Sequence, residues 1–253
     1  MLKNIISAAL AASLCICAVS CGKDSEKKNG KDRSEAATAA PTAYAEPVTA
    51  AADGSETIGE LVTPAETDDD YTLGSFYLSS TGVKLYFDKD KIPEELMFTL
   101  EKYFTAYSNK DYQSYTETVY PSYLEGMDAY LQSEVGYDLK QSFEQKCDSL
   151  SDNMGGEFTV TRIKAGKTAE EIAEEEAQGT TQESEEALAQ KMFENVNEWF
   201  GKDYYTEVKN EADRIYYFPF YVVAMDSDGN ETALIQDFDI AFAEKDGKYY
   251  AFG

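Results

Sequence analysis

The chain has 253 residues, enough for one or two domains. With 22 Lys+Arg against 48 Asp+Glu it carries a formal charge of -26, and a surface of that sign repels nucleic-acid phosphate instead of displacing its counterions. It contains no His, which removes the usual neutral-pH general base and the commonest metal ligand, and with them serine–histidine hydrolases, His-ligated zinc and His-ligated haem.

Lys3 gives a short positive start, and Ile5 to Ile16 is almost wholly apolar before small residues take over. A membrane span needs about 20 apolar residues, so residues 1–20 are predicted to be a signal peptide. The segment ends in Ala18-Val19-Ser20-Cys21-Gly22, which resembles the lipobox of bacterial lipoproteins. The resemblance implies that Ala18, Val19 and Ser20 are read by the signal peptidase and that cleavage falls just before Cys21. The Cys21 thiol would then carry a diacylglyceryl group, making the lipid bilayer a partner and the outer side of the cell membrane the location. Ala18 stands where Leu is most usual. Ala18 and Ser20 also satisfy the small-x-small rule of ordinary secretion, which leaves an unlipidated product starting at Cys21 open. Two acyl chains suffice for stable anchoring, whereas one is marginal. Cys15 and Cys17 leave with the leader, so Cys147 remains alone and no intrachain disulfide is expected.

Residues 21–70 are dominated by Lys, Asp, Glu, Ser, Thr, Ala and Pro, with Tyr44 their only aromatic residue. Such a stretch cannot bury enough apolar surface to offset its ordering entropy, so it reads as a disordered tether. As a flexible coil it would hold a domain roughly 35–40 Å from its anchor.

Residues 71–253 hold all but one of the 19 tyrosines, every Phe and the only Trp, Trp199, and read as a single folded domain. Val83, Leu85 and Phe87 alternate with polar neighbours as in a half-buried strand. Pro93, Glu94 and Glu95 open a helix whose stripe is Leu96, Leu100, Tyr103 and Tyr107. Asp111 is placed to cap a second short helix, and Pro121 reads as its stop. A further helix is expected to carry Val135, Leu139, Phe143, Cys147 and Leu150 and to stop at Gly155-Gly156. Glu157 to Ala165 reads as a strand. Thr168 and Glu171 form a capping-box pattern ahead of an acidic, exposed helix. Ser184 begins a better helix, with Leu188, Met192, Phe193, Val196 and Trp199 on one face and Gly201 as its stop. The remainder reads as a meander: Ile215 to Met225, a turn at Asp226 to Asn230, Ala233 to Ala243, a hairpin turn at Asp246-Gly247, and Lys248 to Phe252. Pro219 suggests that the first of these strands is an edge or carries a bulge.

This order defines an α+β fold with N-terminal helices packed on a curved antiparallel sheet. From Glu94 onward it resembles the nuclear transport factor two-like, or cystatin-like, α+β roll. The run "LEKYFTAYSNKDYQSYTETVYP" and the closing "DGKYYAF" are similar to small domains of that superfamily at the ends of bacterial lipoproteins. The resemblance implies a cone-like roll with an internal pocket, used in some members for isomerase or cyclase chemistry by an Asp and a Tyr. No family catalytic residue maps onto a matching position here, so no catalytic residue and no cofactor are assigned. Asp237 and Asp239 alternate with Phe238, Ile240 and Phe242 and read as solvated strand carboxylates.

Tyr112, Tyr115, Tyr120 and Tyr123 are spread around a short helix and its exit, and form the candidate patch for a ligand or partner. Asp226 to Glu231 places acidic oxygens at alternate positions but has Glu231 where a calcium loop needs Gly, so no metal site is assigned. Cys147, on a core stripe without a His to activate it, reads as a small buried hydrophobe. The function expected is a non-catalytic module that binds a small ligand or an envelope protein. The alternatives are a small-molecule pocket enzyme and a structural interaction module of the cell envelope.

Overall fold

The computed structural model describes residues 59–67, 71–177 and 183–253. The leader, Ala18, Val19, Ser20, Cys21 and most of the tether lie outside the described residues. The fold is α+β. Leu61–Val62 (β1), Phe76–Leu78 (β2) and Lys84–Tyr86 (β3) come first, paired antiparallel. The boundary read at residue 70 is therefore too late: Leu61 and Val62, an apolar pair among acidic residues, already add a strand to β2.

Four helices follow. Glu94–Ser108 (α1) buries Leu96, Met97, Leu100, Tyr103, Phe104 and Tyr107, the stripe expected from its spacing. Its Glu101 is also buried and accepts hydrogen bonds from the hydroxyls of Ser79, at 2.8 Å, and Thr81, which ties α1 to the turn between β2 and β3. Tyr112–Thr118 (α2) is capped by Asp111, which accepts the Ser114 N–H at 3.1 Å.

Pro121 corrects the sequence reading. It does not close α2 but occupies the first turn of a new helix, Pro121–Tyr130 (α3), where a missing N–H costs nothing. After α3 a π-turn over Leu131–Val135 ends at Gly136, whose φ of +87° no β-carbon residue adopts easily. Val135 thus falls outside the following helix, Leu139–Met154 (α4), which starts at a capping box between Asp138 and Gln141.

Phe158–Ala165 (β4) then pairs in parallel with β3, making the sheet mixed and not the antiparallel one expected. The reason is topological: a strand that returns after a long helical crossover re-enters beside β3 in the same direction. Ala169–Ala177 (α5) carries the Thr168–Glu171 capping box, and Glu185–Phe200 (α6) begins at Ser184, whose hydroxyl accepts the Ala187 N–H. A short helix, Tyr204–Glu211 (α7), was not legible from its pattern, and Asp203 caps it.

Arg214–Asp226 (β5), Glu231–Lys245 (β6) and Lys248–Phe252 (β7) complete a seven-stranded sheet whose spatial order is its chain order. The β5–β6 turn is an ordinary hairpin turn. Asp226 uses one carboxylate oxygen to accept the N–H groups of Asp228 and Asn230, at 2.9 and 2.8 Å.

Pro219 lies in an interior strand, yet both of its expected signatures are present. Pairing of β4 with β5 ends at Ala165 and Phe220, and the last rung is the Gly166 N–H on the Pro219 carbonyl, at 2.8 Å. The β5–β6 register slips between Phe220 and Val222. α1 lies against β4 and β7, α6 against β5, and one continuous core joins them.

Candidate functional site

A cavity of about 240 Å³ lies beside the end of β7, where α1, α2, α3, α4 and α6 converge. Its deep wall is built by buried tyrosines, Tyr103 and Tyr107 from α1, Tyr115 from α2 and Tyr123 from α3. Helical spacing puts Tyr103 and Tyr107 one turn apart on the same face, and their hydroxyls are 3.3 Å apart. Tyr103 donates to the Gly253 carbonyl at 2.7 Å and Tyr115 to the same oxygen at 3.2 Å. The rings brace one another, with Tyr107 stacked on Phe143 at 5.0 Å and Tyr115 tilted on Phe143 at 4.9 Å.

The mouth is formed by half-buried Ser142 and Lys146 of α4 and by Met192 and Trp199 of α6, with Asn195 exposed beside them. Lys146 is engaged by a partner of its own.

Burial first, and neighbouring tyrosines after it, push the hydroxyls of Tyr103, Tyr107, Tyr115 and Tyr123 well above the ordinary tyrosine range. They stay protonated at neutral pH and serve as neutral hydrogen-bonding groups, not as bases. Asp239 reaches the wall from β6. Strand alternation puts its exposed side chain on the face shared with Tyr217, whose hydroxyl is held high by burial and then by the Asp239 charge. Among the described residues, no buried Asp or Glu side chain lines the cavity. The arrangement suits capture of a small neutral molecule with an apolar body and one or two hydroxyl or carbonyl groups.

The four tyrosines singled out from the sequence do not form a surface patch. Tyr115 is buried against the rings of α1 and α4, Tyr120 and Tyr123 are buried against Phe252, and Tyr112 is half-buried. Tyr115 and Tyr123 enter the cavity wall. Tyr120 stacks on Phe252 at 5.1 Å with its hydroxyl 3.2 Å from Glu211, and Tyr112 stacks on Tyr115 at the surface. Sequence reasoning put Tyr103 and Tyr107 on an element that could face a cavity but favoured packing for them. The signal that a wall was being built is that three successive helices each turn a tyrosine toward one point. Cys147 is buried, as expected from its stripe. The side chain of Asp237 is outside the described residues.

A second, larger concavity of about 720 Å³ runs beside β5, between the loop ahead of α1 and helices α5 and α6. It is an open groove, not an enclosed chamber. Among the described residues, no group of three or more Cys, Asp or Glu side chains is placed to hold a metal, and no helix is long and apolar enough to cross a membrane. Comparisons with protein-family models, curated proteins and solved structures give no match.

Proposed function

We propose that this chain is a lipid-anchored, extracytoplasmic binding module whose tyrosine-walled cavity holds a small, mainly neutral ligand. The cavity carries the reading. Its deep surface is aromatic and offers neutral tyrosine hydroxyls, Lys146 and Asp239 are the charged side chains of its lining, and the chain's single Trp, Trp199, stands at the mouth. The cone-like roll is the finer fold assignment that goes with it. In its favour are the long α1 laid against β4 and β7, the terminal three-strand meander and a pocket at the helix–sheet junction. Anchoring through Cys21 rests on the apolar leader and the Ala18-Val19-Ser20-Cys21 sequence.

Native mass spectrometry of the full chain, extracted from membranes in mild detergent, tests both parts. A mass excess for a diacylglyceryl group that disappears in Cys21→Ser supports the anchor, and an unlipidated chain released to the medium overturns it. A separately dissociable small molecule, lost in the cavity-filling variant Val196→Phe, supports the binding role. A chain without such a mass, whose Trp199 fluorescence no neutral metabolite or cell-wall fragment alters, overturns it.

A further inference from the structure

The open groove beside β5 has a property that its lining alone does not reveal. Because the Pro219 carbonyl points at Gly166 of the β4 side, the Pro219–Asp239 pair is one whose backbone groups face away from each other. By the two-residue period of a strand, the N–H and C=O groups of Tyr217 and Ile215 also point away from β6. No residue of β4 lies opposite them, since that pairing stops at Phe220. Over residues 214–218, β5 therefore has, among the described residues, one open edge, and Tyr217 and Pro219 line the groove that runs along it.

The groove has apolar ground from Ile92, Ala165, Ile172 and Leu188 and a rim that is net acidic. Its two lysines are already neutralised, Lys91 by Asp88 at 3.4 Å and Lys167 by Glu175 at 2.7 Å. Glu183 is likewise paired, with Lys191 at 2.6 Å, which leaves Glu185 and Asp239 as the rim carboxylates that face no lysine of the groove.

We propose that this groove is a strand-addition site for an extended peptide segment of a partner protein in which apolar and Lys or Arg residues alternate. The incoming backbone hydrogen-bonds to Ile215 and Tyr217 and continues the sheet where β4 leaves off. Its apolar side chains settle on Ile172 and Leu188, and its cationic ones meet Glu185 and Asp239. A second copy of this chain is a poorer occupant, because each copy brings a formal charge of -26.

The test uses fluorescence anisotropy of the full chain with a dye-labelled capped hexapeptide, Lys-Val repeated three times. Its comparators are a block arrangement of the same residues, a Glu-Val repeat, and the Lys-Val repeat N-methylated on alternate residues. Expected is saturable binding of the Lys-Val repeat, weakened about tenfold or more by N-methylation and by high salt, and absent for the Glu-Val repeat. Ile215→Pro removes one outward N–H without touching the β6 ladder, so it should lose about tenfold while Ile215→Ala binds nearly as the parent. Equal binding of the N-methylated or block peptide would overturn the proposal. So would unchanged affinity in a folded Ile215→Pro chain, or a dimer in sedimentation that Ile215→Pro dissolves. If that variant fails to fold, the N-methylated comparator on the parent chain decides alone.

Discussion

At the scale of single residues, the chain hides its titratable aromatic groups so thoroughly that alkaline pH becomes a probe of the fold. Tyr103, Tyr107, Tyr115 and Tyr123 are held neutral by burial, and burial also pushes the Cys147 thiol up to about 11. A group whose pKa is higher in the fold than in the unfolded chain gives stability that is complete below the unfolded value. That stability is lost as pH rises toward the folded value. The window opens near pH 8.5 for the thiol and near pH 10 for the phenols. The absorbance of the buried tyrosinates should therefore appear only in a steep step coincident with loss of circular dichroism. A single smooth titration of all tyrosines at an unchanged fold would contradict this. In the same experiment Cys147 should resist iodoacetamide until the steep step.

At the scale of elements, the contact between α3 and α6 depends on an atom that is not there. A β-carbon on Gly126 would lie 2.5 Å from the ring of Phe200, so the two helices meet at a distance that only glycine permits. Gly126→Ala should gain about 1 kcal/mol of helix propensity and lose about 1–3 kcal/mol to the displaced ring. The net is a lower urea midpoint at unchanged slope. Adding Phe200→Leu should recover most of the loss, and strictly additive effects of the two changes would argue against a direct clash.

The same two helices show where the sequence was readable. α1, α4, α6 and the meander declare themselves by apolar stripes of period 3.6 or 2, and α6 and α2 also by their caps, Ser184 and Asp111. α3 and α7 are short and begin at a Pro and an Asp that serve equally well as helix stops or turn residues. Their stability comes from tertiary contacts, which no local pattern announces. The cavity was hidden for the same reason. Its tyrosines were visible one by one, but their convergence depends on α3 lying where a loop had been read.

Over the whole molecule, the sheet and the helices are locked together by Phe252. Its ring is within 4.8 Å of Phe193, 5.1 Å of Tyr120, 5.9 Å of Tyr123 and 6.4 Å of Tyr204, centroid to centroid. It joins α3, α6 and α7 to the sheet at one point. Phe252→Ala should cost about 3–5 kcal/mol, a large share of the roughly 5–15 kcal/mol that holds a domain folded. Thermal unfolding should detect it as a fall in midpoint of several degrees. A variant that melts like the parent would show that the rings pack as well without their hub.

That hub belongs to β7, which is made long after α1 and α3. The Tyr120 N–H rests on the Ala251 carbonyl, and Tyr103 reaches a carbonyl 150 residues further along the chain. At synthesis rates of about 5–20 residues per second, the apolar faces of α1 and α3 wait roughly 7–30 s for their cover. During that interval the nascent chain is a sticky helical intermediate, so its yield in the cell depends on whatever shields it before β7 is translated.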